Sequence, residues 1–139
     1  MYLLDTNVIS ELRRNKPHGA VVAWIESVDD ADLYISAVTL AEIQAGIEIT
    51  REQNEDKAID LEQWLNLVAD HYNILPMDTR AFRKWARMMH RTSDTLYEDA
   101  MIAATAKVNN LMVVTRNVTD FSGFDVAILN PFEYQGNRG

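Results

Sequence analysis

Short apolar runs alternate along the chain with longer stretches whose hydrophobic residues recur every three or four positions, the pattern of an α/β protein. Predicted strands occupy residues 2–4, 33–36, 73–75, 112–115 and 126–129. Predicted helices cover about residues 8–14, 20–28 and 39–50, a stretch ending near His71, and then 80–91 and 96–109. Pro17 and Gly19 separate the first two helices, and Asp29-Asp30-Ala31-Asp32 turns the chain into the second strand. Thr39, with Glu42 three residues on, fits a capping box at the start of the third helix. The charged segment 51–57 divides that helix from the next as a helical hairpin, Pro76 ends the third strand, and Asp78 or Thr79 caps the helix over 80–91. The expected architecture is one domain over residues 1–133, a central, mostly parallel sheet flanked by helices, followed by a flexible tail over 134–139.

Size and composition narrow the chemistry. At 139 residues, 47% of them hydrophobic, the chain can bury about two-thirds of its unfolded surface in one core. It has no Cys, which excludes disulfides and thiolate metal sites and disfavours zinc. His18, His71 and His90 show no ligand spacing. No run approaches the ~20 apolar residues that span a bilayer, and the N-terminus lacks the charged start and cleavage site of a secretory signal, so a cytoplasmic protein with no membrane contact is expected. The net charge of −8 argues against broad nucleic-acid binding over the whole surface and favours a basic partner. It leaves room for a nuclease whose metal ions neutralise an acidic site.

Four acids stand out by their settings. Asp5 follows the first strand and opens Asp5-Thr6-Asn7; Glu42 lies early in the third helix; Asp99 opens Asp99-Ala100-Met101-Ile102-Ala103-Ala104-Thr105-Ala106; Asp120 follows Val114-Thr115-Arg116-Asn117. Each has a structural alternative: Asp5 and Asp120 as turn formers or caps, Glu42 in the capping box, Asp99 as a partner of its helix dipole. In an α/β protein, however, strand ends and helix starts converge on one edge of the sheet, where ligands bind. Four carboxylates meeting there repel one another unless a cation holds them, which points to Mg²⁺ or Mn²⁺.

In motif order and length the chain resembles the PIN-domain family, and within it the VapC and FitB-like toxins of prokaryotic toxin–antitoxin pairs. The blocks Leu4-Asp5-Thr6-Asn7 and Val114-Thr115-Arg116-Asn117-x-x-Asp120-Phe121 carry the likeness most specifically. The resemblance implies a PIN-like fold in which Asp5, Glu42, Asp99 and Asp120 bind the metal of a ribonuclease. It also implies that Thr115 and Asn117, with Thr6 and Asn7, support them through hydrogen bonds. A homodimer and a cognate antitoxin are implied as well, and an Arg from a basic antitoxin segment would suit the acidic cleft. Asp94 and Glu98 compete with Asp99; Glu98 and Asp99 point ~100° apart on a helix, so one of them faces the metal. Asp99 holds the motif position before Ile102-Ala103-Ala104.

With no Cys, and no His beside Ser10, metal-activated water is the simplest nucleophile, and the expected reaction is in-line hydrolysis of an RNA phosphodiester with one or two ions. Arg80, Lys84, Arg87 and Arg91 recur on one helix face as a candidate contact for the RNA backbone, against the alternative of an ordinary solvated face. Phe82, Trp85, Ala86 and Met89 are expected to pack into the core from the other face, and Trp24, Trp64 and Trp85 to serve the core or a dimer interface. Ala41, Ala45 and Gly46 form a narrow face suited to close helix packing. The competing function is a non-catalytic PIN-like module that binds RNA or protein, in which the acids are caps; a flap-type nuclease on a similar fold is disfavoured by the small size.

Overall fold

Five strands, β1 (Tyr2–Leu4), β2 (Leu33–Ser36), β3 (Asn73–Leu75), β4 (Met112–Val114) and β5 (Ile128–Leu129), form one sheet in the order β3-β2-β1-β4-β5 with every neighbouring pair parallel. The structure is a computed structural model that describes residues 1–136. Seven helices accompany the strands among those residues: α1 (Thr6–Leu12), α2 (Gly19–Ser27), α3 (Ala37–Gln53), α4 (Glu55–His71), α5 (Thr79–Met89), α6 (Tyr97–Val108) and α7 (Val118–Phe121). None of the helices is long and apolar enough to cross a membrane.

The central strands are apolar because both faces of the sheet are covered. Leu3 and Val113 face a core shared with Ala100, Ile102, Ala103 and Ala106 of α6. Leu4 and Val114 face the opposite core, with Val8 and Ile9 of α1, Val21 and Trp24 of α2 and Val68 of α4. Successive side chains thus serve different layers, as the strand period requires. Leu3 and Leu4 are both fully buried, and truncating either to Ala removes about 2–5 kcal/mol of stability. Tyr134 packs against the second core; of the expected flexible tail, 137–139 lie outside the described residues.

Several local expectations are corrected. Ser36, not Thr39, caps α3: its hydroxyl accepts from the Val38 N–H at 3.1 Å, while Thr39 is fully buried inside the helix. The segment 51–57 is not a spacer. Helix α3 continues to Gln53, and Asn54 alone joins the helices, ending α3 through its N–H to the Thr50 carbonyl and capping α4 through its side chain to the Lys57 N–H. Asp78 rather than Thr79 caps α5, accepting from the Ala81 N–H at 2.9 Å. Helix α5 stops at Met89, and Arg91 follows with a left-handed φ of 64°, so it leaves the face that carries Arg80, Lys84 and Arg87.

The apolar side of α5 is also less buried than its pattern suggests. Phe82 is 46% exposed and Ala86 is exposed, whereas Trp85 and Met89 are partly buried against the core. Trp85 is fixed by its indole N–H, which donates to the Tyr97 carbonyl at 3.1 Å, and by edge-on contacts with the Phe82 and Tyr97 rings. Residues Asp94–Leu96 form a 3₁₀ turn, and α6 starts at Tyr97, which leaves Asp99 in its first turn.

Candidate active site

The sheet order reverses beside β1: the chain runs outward through β2 and β3, then returns to place β4 on the other flank. A crevice opens at such a switch point, beyond the carboxyl ends of the strands. Leu4 pairs with Val114 there, so the next residues, Asp5 and Thr115, emerge side by side. The Asp5 N–H still bonds to the Val114 carbonyl at 2.9 Å and holds the register.

Asp5 is only 3% exposed, and both carboxylate oxygens are engaged. Its Oδ1 accepts from the Thr6 N–H at 2.8 Å and so caps α1. Its Oδ2 accepts from the Thr115 hydroxyl at 2.8 Å and the Asn7 side-chain N–H at 3.1 Å. Thr115 in turn accepts from the Asn117 backbone N–H at 2.9 Å and from Asn7 at 3.2 Å. Asn7 completes the frame through its Oδ1, which accepts from the Arg116 N–H at 3.2 Å. The two motif blocks at opposite ends of the sequence are thereby tied into one network. Asp5 both caps a helix and stands at the base of the cleft; its second oxygen has no part in the cap.

Glu42 reaches the same cleft from α3. The Thr6 hydroxyl lies 3.2 Å from Glu42 Oε1 and 3.3 Å from the buried Thr39 hydroxyl, a forked contact between α1 and α3. The role of Thr39 escapes the sequence because its spacing to Glu42 matches a capping box, yet its contact is with a residue 33 positions away. Asp99 enters from the first turn of α6 and Asp120 from α7, which is anchored by the fully buried Phe121. Asn117 is exposed; it touches the network through its backbone.

Electrostatics shows that these acids share one neighbourhood. Burial pushes the Asp5 carboxyl above its ordinary range, against its three hydrogen bonds, and the nearby Asp120 adds to the rise. Burial raises Glu42 to about 7, opposed by the Thr6 hydrogen bond and reinforced by Asp5, Glu98 and Asp99. Burial likewise raises Asp99 to about 6, with Asp5, Asp120 and Glu98 adding. Glu98 is exposed yet close enough to act on both Glu42 and Asp99. Crowded carboxylates of this kind ionise reluctantly until a positive charge joins them.

The donor set suits a hard cation. It is all oxygen, and among the described residues no three acidic or His side chains already form a cage for an ion. Mg²⁺ is compatible with that, since it takes one or two carboxylates and keeps several waters, whereas a dedicated protein cage is the habit of other ions. The basic face lies elsewhere: Arg80, Arg83, Lys84 and Arg87 line a shallow depression with Val108, at the end of α6 opposite to the first turn that carries Asp99. Arg80 is tied there, donating to the Val108 carbonyl at 2.9 Å.

An all-parallel sheet with acidic side chains beyond the carboxyl ends of β1 and β4 defines an α/β domain with an acidic switch point. The chain belongs to the PIN-domain family, which it matches over residues 2–125. It is 38% identical to the toxin FitB of Neisseria gonorrhoeae over 95% of this chain and 99% of that protein. It is 36% identical to the VapC ribonuclease Y4jK of Sinorhizobium fredii over 96% and 99% of the two chains. The crystal structure of FitAcB from N. gonorrhoeae superposes with a TM-score of 0.84 at 36% identity, covering 96% of this chain and 99% of that one.

Proposed function

We propose that this chain is the toxin of a type II toxin–antitoxin pair and acts as a Mg²⁺-dependent endoribonuclease, with Mn²⁺ as a competent substitute. The observation that carries the reading is that Asp5 stands just beyond β1 beside β4 and is joined to Glu42 through Thr6, while like charge from Asp99 and Asp120 adds to the upward shifts of these carboxyls. Relatives named as a toxin and as a VapC ribonuclease support it.

In this reading the ion would sit among Asp5, Glu42, Asp99 and Asp120, with one or two of these carboxylates ligating it directly and the others reaching it through its waters. The chemistry such an ion would supply there is positive charge for the scissile phosphate and a lowered pKa for a bound water. Thr115 and Asn7 fix the Asp5 carboxylate, the Asn117 N–H fixes the Thr115 hydroxyl, and Thr6 fixes Glu42. Arg80, Lys84 and Arg87 of α5, with Arg83 beside them and Arg91 beyond the helix, contact the RNA backbone without regard to sequence. A basic segment of the cognate antitoxin occupies the acidic cleft and inhibits the enzyme in the cytoplasm. A second copy of the chain packs on the exposed Phe82 and Tyr97 edge and the small residues of α3, where Gly46 has open space around it.

The non-catalytic alternative draws on one fact, that Asp5 caps α1. Glu42 has lost its capping explanation, because Ser36 caps α3. The test is to incubate purified protein with total RNA, with Mg²⁺ or with EDTA, and map the cut ends. Defined cuts that need the metal and vanish in Asp5→Asn are expected; identical cutting by Asp5→Asn would refute the assignment.

A further inference from the structure

Arg116 sits in the middle of the motif Thr115-Arg116-Asn117, and its side chain has no task in the network around it. Its backbone N–H is held by Asn7, and its guanidinium lies over the Phe132 ring, with Cζ 4.7 Å from the ring centroid. Phe132 is a firm base: its N–H donates to the Asn130 side chain at 3.0 Å, it follows the buried Pro131, and it packs against the core that contains Leu4 and Val114. Among the described residues the Arg116 side chain takes no ion pair and no hydrogen bond, although Asp120 and Glu133 line the same depression. Arg51 is the contrast, with its donors spent on Glu48, Glu55 and Glu62.

We infer that Arg116 is a phosphate clamp for the RNA strand, binding a backbone phosphate at the rim of the acid cleft beside Asp120. Stacking uses one face of a guanidinium and leaves its in-plane N–H donors free, the geometry that grips a phosphate through two oxygens. Because Phe132 already orders the side chain, little conformational freedom is lost on binding. The clamp is needed because the protein carries a net charge of −8 and its cleft is lined with carboxylates, both of which repel a polyanion. This inference rests on the ribonuclease reading for its substrate, but it assigns a residue that no metal chemistry requires.

The test measures affinity for a single-stranded RNA oligonucleotide against KCl concentration, in an Asp99→Asn background that spares the RNA. Arg116→Gln is expected to weaken binding about tenfold at low salt and to flatten the log–log salt slope by about 0.7, the share of one phosphate contact on a single strand. Arg116→Lys should keep the slope and recover only part of the affinity. An unchanged slope in Arg116→Gln overturns the clamp, whether or not affinity falls, and points instead to an acidic protein segment as the partner of this Arg. Cleavage by the otherwise native chain is measured in parallel. Cutting without an Arg116 effect on the slope removes the clamp alone, and an Arg116 effect without any Mg²⁺-dependent cutting removes the ribonuclease reading alone.

Discussion

Two groups of carboxylates lie on α3 and its neighbours, and they are built in opposite ways. At the α3–α4 hairpin, Glu48, Glu55 and Glu62 surround Arg51, which bonds to all three; the Glu48 carboxyl is held below its usual range by Arg51 and Gln44. At the sheet edge, burial pushes Asp5, Glu42 and Asp99 all upward, with Asp120 adding at Asp5 and neighbouring acids adding at Glu42 and Asp99. One cluster brings its own cation and joins two helices. The other gathers negative charge around an opening, at a cost to the fold, and the cost has a purpose if a cation arrives from solution.

The largest expected separation between the clusters is catalytic. Asp5→Asn and Asp99→Asn should each lower Mg²⁺-dependent RNA cleavage at least about a hundredfold, the scale of ~2.7 kcal/mol of charge stabilisation, while Arg51→Ala leaves the rate unchanged. Single-turnover cleavage of a defined RNA checks this, and equal losses in all three variants would erase the distinction.

Thermal melting gives the next effect. Mg²⁺ at about a hundred times its Kd stabilises the native state by about 2.7 kcal/mol, a rise in Tm of roughly 5–10 °C for a domain of this size. The rise should be absent in Asp5→Asn and intact in Arg51→Ala.

The third effect is a pH dependence of defined sign. Glu42 moves from its ordinary 4.5 to about 7 and Asp99 from 3.8 to about 6. Without metal the folded chain therefore binds more protons than the unfolded chain between these limits, and stability is lost as pH rises through the folded values. Tm of the metal-free protein should fall between pH 5 and 7.5 on this account, and Glu42→Gln should raise Tm at pH 7.5 but not at pH 5. Thr6→Val sharpens the same point: loss of its hydrogen bond lets Glu42 rise further, so the acid limb of the pH–rate profile moves to higher pH. The smallest effect belongs to the hairpin, where Arg51→Ala should shift the chemical-denaturation midpoint only slightly, as expected of solvent-screened ion pairs.

The strands and the two terminal motif blocks were legible because they depend on local pattern: apolar runs mark β1, β2 and β4, Asp5 follows β1 directly, and Asp120 closes the block that opens at the end of β4. What stayed hidden depends on contacts distant in sequence. Ser36 and Thr39 are equally good caps by type, and burial of Thr39 against Thr6 decides between them. Phe82 fits a core position by spacing, but α5 packs along α6 in a way that leaves that ring 46% exposed. Arg116 is visible within its motif, whereas the ring that orders it lies sixteen residues away, beyond the motif.

Calorimetric titration of the metal-free protein with Mg²⁺ at pH 6.5, in two buffers of different ionisation enthalpy, tests the central claim most directly. Saturable binding that releases protons, lost in Asp5→Asn and kept in Arg51→Ala, is the result predicted for carboxylates held partly protonated until a cation arrives. No saturable binding, or binding that Asp5→Asn leaves intact, would contradict it.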